Sequence, residues 1–375
     1  MNEISLNHTF EYYLRNSAAK HPSMQAQDIV KLCFQAAFGA EHLLRGTDEA
    51  AAGIRLMEEF KQVPAGAGEN LFERISSNYC RINLGAWKAR HLPPEWLLRL
   101  FVLTAGQPHG SAGRFTDYLK EAETLICAGL LPVSSQQWHS FLGGYHPENA
   151  LPVHHSEIYR TREHPAYRVV STRYLWMLPV LEQLAALPRF ADAHVIAVDG
   201  CCASGKTTCS LELADVLGAG LIHMDDFFLP LNLRTEKRLA APGGNIHYER
   251  FIDEVLPNIA SPAVFTYRRF DCQALDYTQD IPVRASAWRV AEGAYACHPL
   301  LGEYMDLRLF FHVGPAEQLK RIRQRDGEEA LQNFIRRWIP MENSYFQAFQ
   351  IRENADMVLQ TYEISPAPHQ ESSSL

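Results

Sequence analysis

The chain has 375 residues, 47% hydrophobic and 21% charged, a composition that fits a globular protein with a large core and implies two domains. A formal net charge of −8 argues against a general nucleic-acid or anionic-membrane binder, although a local basic cluster is still permitted. Eight cysteines without a C-x-x-C pair do not resemble a disulfide framework, and no apolar run reaches the length of a membrane span.

The opening "MNEISLNHTFEYYLRNS" lacks a basic segment followed by an apolar run, so no secretory signal is expected and the expected compartment is the cytoplasm. "QAQDIVKLCFQAAFGAEHLL" places Ile29, Leu32, Cys33 and Ala36 at helical spacing. "PPEWLLRLFVLTAG" begins with prolines suited to a first helical turn and ends at a glycine. "GRFTDYLKEAETLICAGLL" and "TRYLWMLPVLEQLAALP" have the same character, and no strand alternation stands out before about residue 190. The densest polar cluster in this half is "PVHHSEIYR", with His154, His155, Glu157 and Tyr159. Paired imidazoles and a carboxylate could ligate a metal, act as an acid–base pair, or make structural hydrogen bonds; no fixed-spacing zinc signature decides among these. His21, Glu41 and His42 add no decisive pattern.

After "LAALPRFADA" the pattern changes. "HVIAVDG" is a short β-branched run of the kind that forms a buried parallel strand. Apolar runs recur in "GLIHMDD", "AVFTYRRF", "WRVAEGA" and "LRLFFHV", with helical patterns between several of them. That alternation implies right-handed β-α-β units and an α/β doubly wound parallel sheet. The expected organisation is a mostly α-helical domain over 1–188, an α/β domain over 189–362, and a disordered tail over 363–375.

"GCCASGKTT", Gly200 to Thr208, follows the first of these strands directly and leads into the helical pattern "TTCSLELADVLG". Strand, glycine-rich loop and helix in that order are what phosphate binding requires: loop N–H groups and the helix N-terminus point at an anion. Lys206 can reach the outer phosphates and the Thr207 hydroxyl can ligate Mg²⁺. Gly200, Cys201, Cys202, Ala203, Ser204, Gly205, Lys206, Thr207 and Thr208 are therefore the expected nucleotide-binding residues. Cys201 and Cys202 fill variable loop positions; the helix N-terminus could make a thiol there oxidisable, or the pair could be plain filler.

Three further pieces follow. "HMDDFFLP" brings Asp225 and Asp226 to a strand end, where a carboxylate can bind Mg²⁺ or accept a proton; the same residues could simply cap or turn the chain. "WRVAEGAYACHP" carries Glu292 to another strand end, suited to magnesium or merely solvated. "AEQLKRIRQRDGEEALQNFIRRW" supplies Arg321 and Arg325 one turn apart and Arg336 and Arg337 beyond, either a lid over a transferring phosphoryl group or a solvated helix face. The order of the four pieces is the order that a P-loop kinase needs.

These motifs resemble the uridine kinase and phosphoribulokinase family of P-loop kinases over about residues 194–360. "GCCASGKTT" is similar to that family's first motif, "MDDFF" to its second and "EGAYA" to its third. The resemblance implies a P-loop NTPase sheet, with Thr207, Asp225 and Glu292 around Mg²⁺. It implies Asp225 as base, Lys206 on the phosphates, and Arg321, Arg323 and Arg325 in or near a lid. It also implies an acceptor site with Asp225, Phe228, Tyr267 and His247, and with Arg323 from the lid. "NIHYE" departs from the family's usual aspartate, so Asn245 or His247 alters recognition of the acceptor, and Phe228 stands where a tyrosine is common. The expected function is ATP-dependent transfer of the γ-phosphoryl group to a hydroxyl, with a nucleoside such as uridine as acceptor. A sugar or pantothenate-like alcohol remains open, as does an ATPase switch whose helical domain binds a partner. ATP, Mg²⁺ and a small acceptor are the expected ligands, with no nucleic acid or membrane; a homo-oligomer is left open.

Overall fold

The computed structural model describes residues 9–40, 49–66, 68–107, 110–188, 192–271 and 274–360. Glu41, His42 and the expected tail over 363–375 lie outside the described residues. The chain divides into two units, Met1–Ala185 and Ala186–Leu375.

The first unit is built on helices α1 (Phe10–Lys20), α2 (Ala26–Phe38) and α3 (Glu49–Gln62). Strands β1 (Phe72–Arg74) and β2 (Tyr79–Asn83) follow, then α4 (Leu84–Ala89), α5 (Pro94–Ala105), α6 (Ala112–Cys127), α7 (Ser135–Tyr145) and α8 (Glu157–Glu163). Strand β3 (Tyr167–Ser171) and helix α9 (Leu178–Ala186), which runs across the boundary, complete the series. Helix α2 is central: Ile29, Val30, Leu32, Cys33, Ala36 and Ala37 are inaccessible to solvent. They pack with residues such as Phe101 and Phe115 into one core. The unit is mostly helical, as expected, and it also holds three strands that did not stand out in the sequence: β1, β2 and β3 form an antiparallel sheet in that order. Periodicity hid them for a physical reason. β1 is three residues long, and the first four residues of β2 are all buried, so neither alternates.

The second unit contains β4 (His194–Gly200), α10 (Lys206–Leu217) and β5 (Gly220–His223). Short helices α11 (Glu236–Ala240), α12 (Tyr248–Glu254) and α13 (Leu256–Ile259) precede β6 (Phe265–Asp271), β7 (Asp276–Val283), β8 (Trp288–Glu292) and β9 (Leu307–His312). Helices α14 (Pro315–Asn333) and α15 (Ile339–Phe349) and strand β10 (Met357–Gln360) end it. Five strands form one sheet in the order β10-β9-β4-β8-β5. Every neighbouring pair in it is parallel. This is the doubly wound α/β sheet of P-loop NTPases. β4 is buried along its whole length, which explains its unbroken apolar run. Its neighbours β8 and β9 are reached by connections running to opposite sides, so the loop after β4 lies at the switch point where such sheets bind ligands.

Two expectations change. "AVFTYRRF" forms β6 outside the main sheet, paired antiparallel with β7. Only Tyr267 and Phe270 are buried in it, on either side of a shift in register at Arg269–Phe270, unlike a strand covered on both faces. The arginine-rich helical pattern is also interrupted: Gly327, at φ 85°, breaks the helical backbone within α14, and a π-helical turn at Phe334–Trp338 joins it to α15.

Candidate active site

Gly200 closes β4 at φ +139°, and a Cβ built there would lie 2.2 Å from the carbonyl oxygen of Phe311. Only glycine tolerates both the conformation and the approach of β9. Gly205 takes φ 89° as the N-cap of α10, which Gly218 ends in the left-handed conformation. The Cys201 N–H donates to Phe311 O at 3.1 Å and the Ser204 N–H to Cys201 O at 3.1 Å. The loop that follows β4 is thus tied to β9 and turned on itself so that α10 starts at Lys206.

Around that start the structure gathers four of the residues singled out from sequence. The Thr207 hydroxyl donates to Glu292 Oε2 at 3.1 Å. Lys206 Nζ lies 3.4 Å from Cys201 O. Burial works against the Lys206 charge, but Glu342, Asp225 and Glu292 hold its pKa above the ordinary value. Asp225 is reached by solvent, yet crowding by protein atoms and the neighbouring Glu292 raise its carboxyl against the pull of Lys206. No hydrogen bond from a described residue engages the Asp225 carboxylate.

Asp226 has the opposite setting. It is 8% exposed, accepts the Tyr267 hydroxyl at 2.7 Å and pairs with Arg269 Nε at 3.3 Å. Tyr267 is therefore engaged with Asp226, and its oxygen also accepts the His223 N–H at 3.3 Å. Phe228 is half-buried beside Trp338, ring centroids 6.0 Å apart. His247 precedes α12, donates its N–H to Phe227 O at 2.7 Å, and leaves its buried Nδ1 without a hydrogen bond. Neighbouring Asn245, 5% exposed, has neither amide atom paired in the hydrogen-bond geometry.

The arginines separate. Arg321 pairs with Glu317 at 3.0 Å and also points to the loop carbonyls of Ala203 and Ser204 at 3.4 and 3.5 Å. Arg323 pairs with Glu328, and Arg325 with Asp326; both arginines are exposed. Burial raises the pKa of both Cys201 and Cys202, so their thiols are held protonated and the oxidisable reading loses its support.

Sequence reasoning missed three site residues. His223 binds Glu292 Oε1 through Nδ1 at 2.6 Å; burial opposes its charge, but the Glu292 contact raises its pKa. It is two positions before Asp225, a strand-end place that could have drawn notice. Asp199 is inaccessible and accepts hydrogen bonds from the Gly200, Tyr295 and Cys297 N–H groups and the Tyr345 hydroxyl, tying loop, β8 end and α15 together. Glu342 accepts the Cys202 N–H at 2.8 Å from a helix far along the chain, and no local signal announces it.

With the facing His223 nitrogen engaged by Glu292, the candidate donors around Lys206 are the oxygens of Thr207, Asp225 and Glu292, a set that suits Mg²⁺, which keeps waters and substrate phosphates in its shell. Among the described residues, no group of three or more His, Cys, Asp or Glu could hold a metal alone.

In the first unit the His154–His155–Glu157 cluster disperses. His154 and Glu157 are exposed, while His155 turns inward. Its Nδ1 meets Asp28 Oδ1 at 2.8 Å and its Nε2 meets the Tyr167 hydroxyl at 2.6 Å. Asp28, inaccessible, also accepts the Ser156 N–H and hydroxyl. This is a buried hydrogen-bond network. No helix among the described residues is long and apolar enough to cross a membrane.

Fold and loop together define the second unit as one with P-loop NTPase architecture. Among solved structures it is similar to that of a possible uridine kinase from Bacillus stearothermophilus, at 18% identity and TM-score 0.39, covering 49% of this chain and 97% of that one. It is also similar to D-glycerate 3-kinase from Cryptococcus neoformans, at 13% identity and TM-score 0.31, covering 47% and 87% respectively. No family model and no curated protein matches the chain.

Proposed function

We propose that the second unit is an ATP-dependent kinase that transfers the γ-phosphoryl group to a hydroxyl of a small molecule, a nucleoside such as uridine. The convergence of Lys206, Thr207, Asp225 and Glu292 at the carboxyl edge of β4, β5 and β8 carries this reading. Loop amides from Gly200 to Thr208 and the Lys206 ammonium bind the phosphates. Thr207, Asp225 and Glu292 are the oxygen donors for Mg²⁺, which when bound neutralises charge on the phosphates. Asp225 orients the acceptor hydroxyl and takes its proton. His223 keeps Glu292 oriented from the side opposite Thr207. Phe228 and His247 face the acceptor, while Tyr267 contributes by fixing Asp226. Arg321 is the lid arginine nearest the loop; Arg323 and Arg325 share its helical segment before Gly327 and reach the site once they leave their exposed pairings with Glu328 and Asp326.

The test is Asp225→Asn, which keeps shape and removes the base. Mg-ATP affinity should persist while phosphoryl transfer falls roughly 10²–10⁴-fold. Transfer is read by ADP release and direct detection of phosphorylated product, with nucleosides screened first. Equal, small effects of Asp225→Asn and Asp226→Asn would remove Asp225 as base. ATP hydrolysis that needs no acceptor would point instead to a switch.

A further inference from the structure

The phosphate loop is gripped by the arm that carries the arginines. Both main-chain groups of Cys202 are held: its N–H donates to Glu342 Oε2 at 2.8 Å, and its carbonyl accepts from Gln318 Nε2 at 2.9 Å. Gln318 and Glu342 bracket the segment that holds Arg321, Arg323, Arg325, Arg336 and Arg337. Apolar contact continues the grip, with Ile322 and Leu331 packed against Cys202. At the α15 end, Tyr345, one helical turn after Glu342, donates to Asp199 at 2.7 Å.

Glu342 is only 7% exposed. A buried carboxylate needs hydrogen bonds or a counter-charge. Burial raises the Glu342 carboxyl above its ordinary range, and the charge of Lys206 and the amide of Cys202 act against that rise; on Lys206 it in turn acts more strongly than Asp225 or Glu292. A loop amide and the loop lysine are the groups that such a loop offers to an anion. Glu342 therefore places a carboxyl oxygen on a loop amide where a phosphate oxygen would bind, and a nucleotide would bring several negative charges to the same place.

We propose that Glu342 is a positioning residue that occupies anion-binding groups of the phosphate loop and yields them to a nucleotide phosphate, so that nucleotide entry frees the α15 end of the arm. This rests on the nucleotide-binding reading above. A purely structural clip would predict the opposite sign, because weakening it would loosen the loop and lower nucleotide affinity.

The test uses the full chain and Mg-ADP and Mg-ATP as probes in calorimetry. Glu342→Gln keeps an acceptor for the Cys202 N–H and removes the charge. It should bind both nucleotides on the order of tenfold more tightly than the wild type. Equal or weaker binding by a folded Glu342→Gln protein overturns the proposal. A second measurement needs no variant: amide hydrogen exchange in residues 339–349 of the wild type should speed up when Mg-ADP saturates the loop. Exchange that slows or stays the same there also overturns it. If neither protein binds nucleotide, the nucleotide reading itself fails and this inference with it, a result distinct from equal binding by both.

Discussion

Two adjacent aspartates at the end of β5 meet opposite environments. They lie in the 3-10 turn Met224–Phe227 that follows β5, where Asp225 feels the charge of Lys206 while Asp226 turns into the contact with Tyr267 and Arg269. Their variants should part accordingly. Asp226→Asn weakens a buried hydrogen bond and a half-exposed ion pair, so it should lower unfolding free energy by about 1 kcal/mol and leave transfer chemistry nearly intact. Denaturant unfolding beside a turnover assay checks this; a large loss of transfer with normal stability would exchange the roles of the pair. Lys206→Ala should weaken Mg-ATP binding by about 1.5–3 kcal/mol, the usual range for a hydrogen bond to a charged group. Unchanged affinity in a folded variant would end the P-loop assignment.

Among the elements, the loop after β4 and the polar network of the first unit give the sharpest expectations. Gly200→Ala forces a Cβ against Phe311 O in a backbone conformation closed to L-residues. It should cost about 3 kcal/mol or more, seen as a lower melting temperature of the second unit. A variant that melts like the wild type would mean that β9 can move away freely. In the first unit, burial lowers the His155 pKa to about 4, against the opposing hydrogen bond to Asp28. The folded state therefore favours neutral His155 and the unfolded state binds its proton first. Stability is full above the ordinary histidine value of 6.5 and declines as pH falls towards about 4, by up to about 3 kcal/mol. Asp28, whose pKa is lowered by His155 and Ser156 despite burial, extends the loss to still lower pH. Melting of the first unit across this pH window should flatten in His155→Gln, which has no proton to take up; an unchanged slope would assign the acid sensitivity elsewhere.

For the whole molecule, each unit has a core of its own: Ile29, Leu32 and Phe115 belong to one, Phe227, Phe251 and Phe310 to the other. Units of this size with separate cores commonly fold alone. The piece Ala186–Leu375 should therefore melt cooperatively and retain the Mg-ATP affinity of the full chain. A tenfold weaker affinity in a folded piece would show that the first unit contributes to nucleotide binding.

The sequence by itself determined the strand–loop–helix from His194 to Gly218 and the strand-end positions of Asp225 and Glu292. These depend on interactions between near neighbours: a glycine-rich turn, a helix start and a buried apolar run leave local signatures. It also marked Arg321, though not the break at Gly327 that divides the arm. Only the tertiary structure decided the rest. It placed His223 on Glu292, Asp199 beneath the loop and Glu342 on Cys202, contacts that join residues 69, 96 and 140 positions apart. It also moved β6 out of the main sheet and added the strands of the first unit. Strand pairing and buried charge compensation are settled by which segments meet in space, and a period counted along the chain carries no record of that.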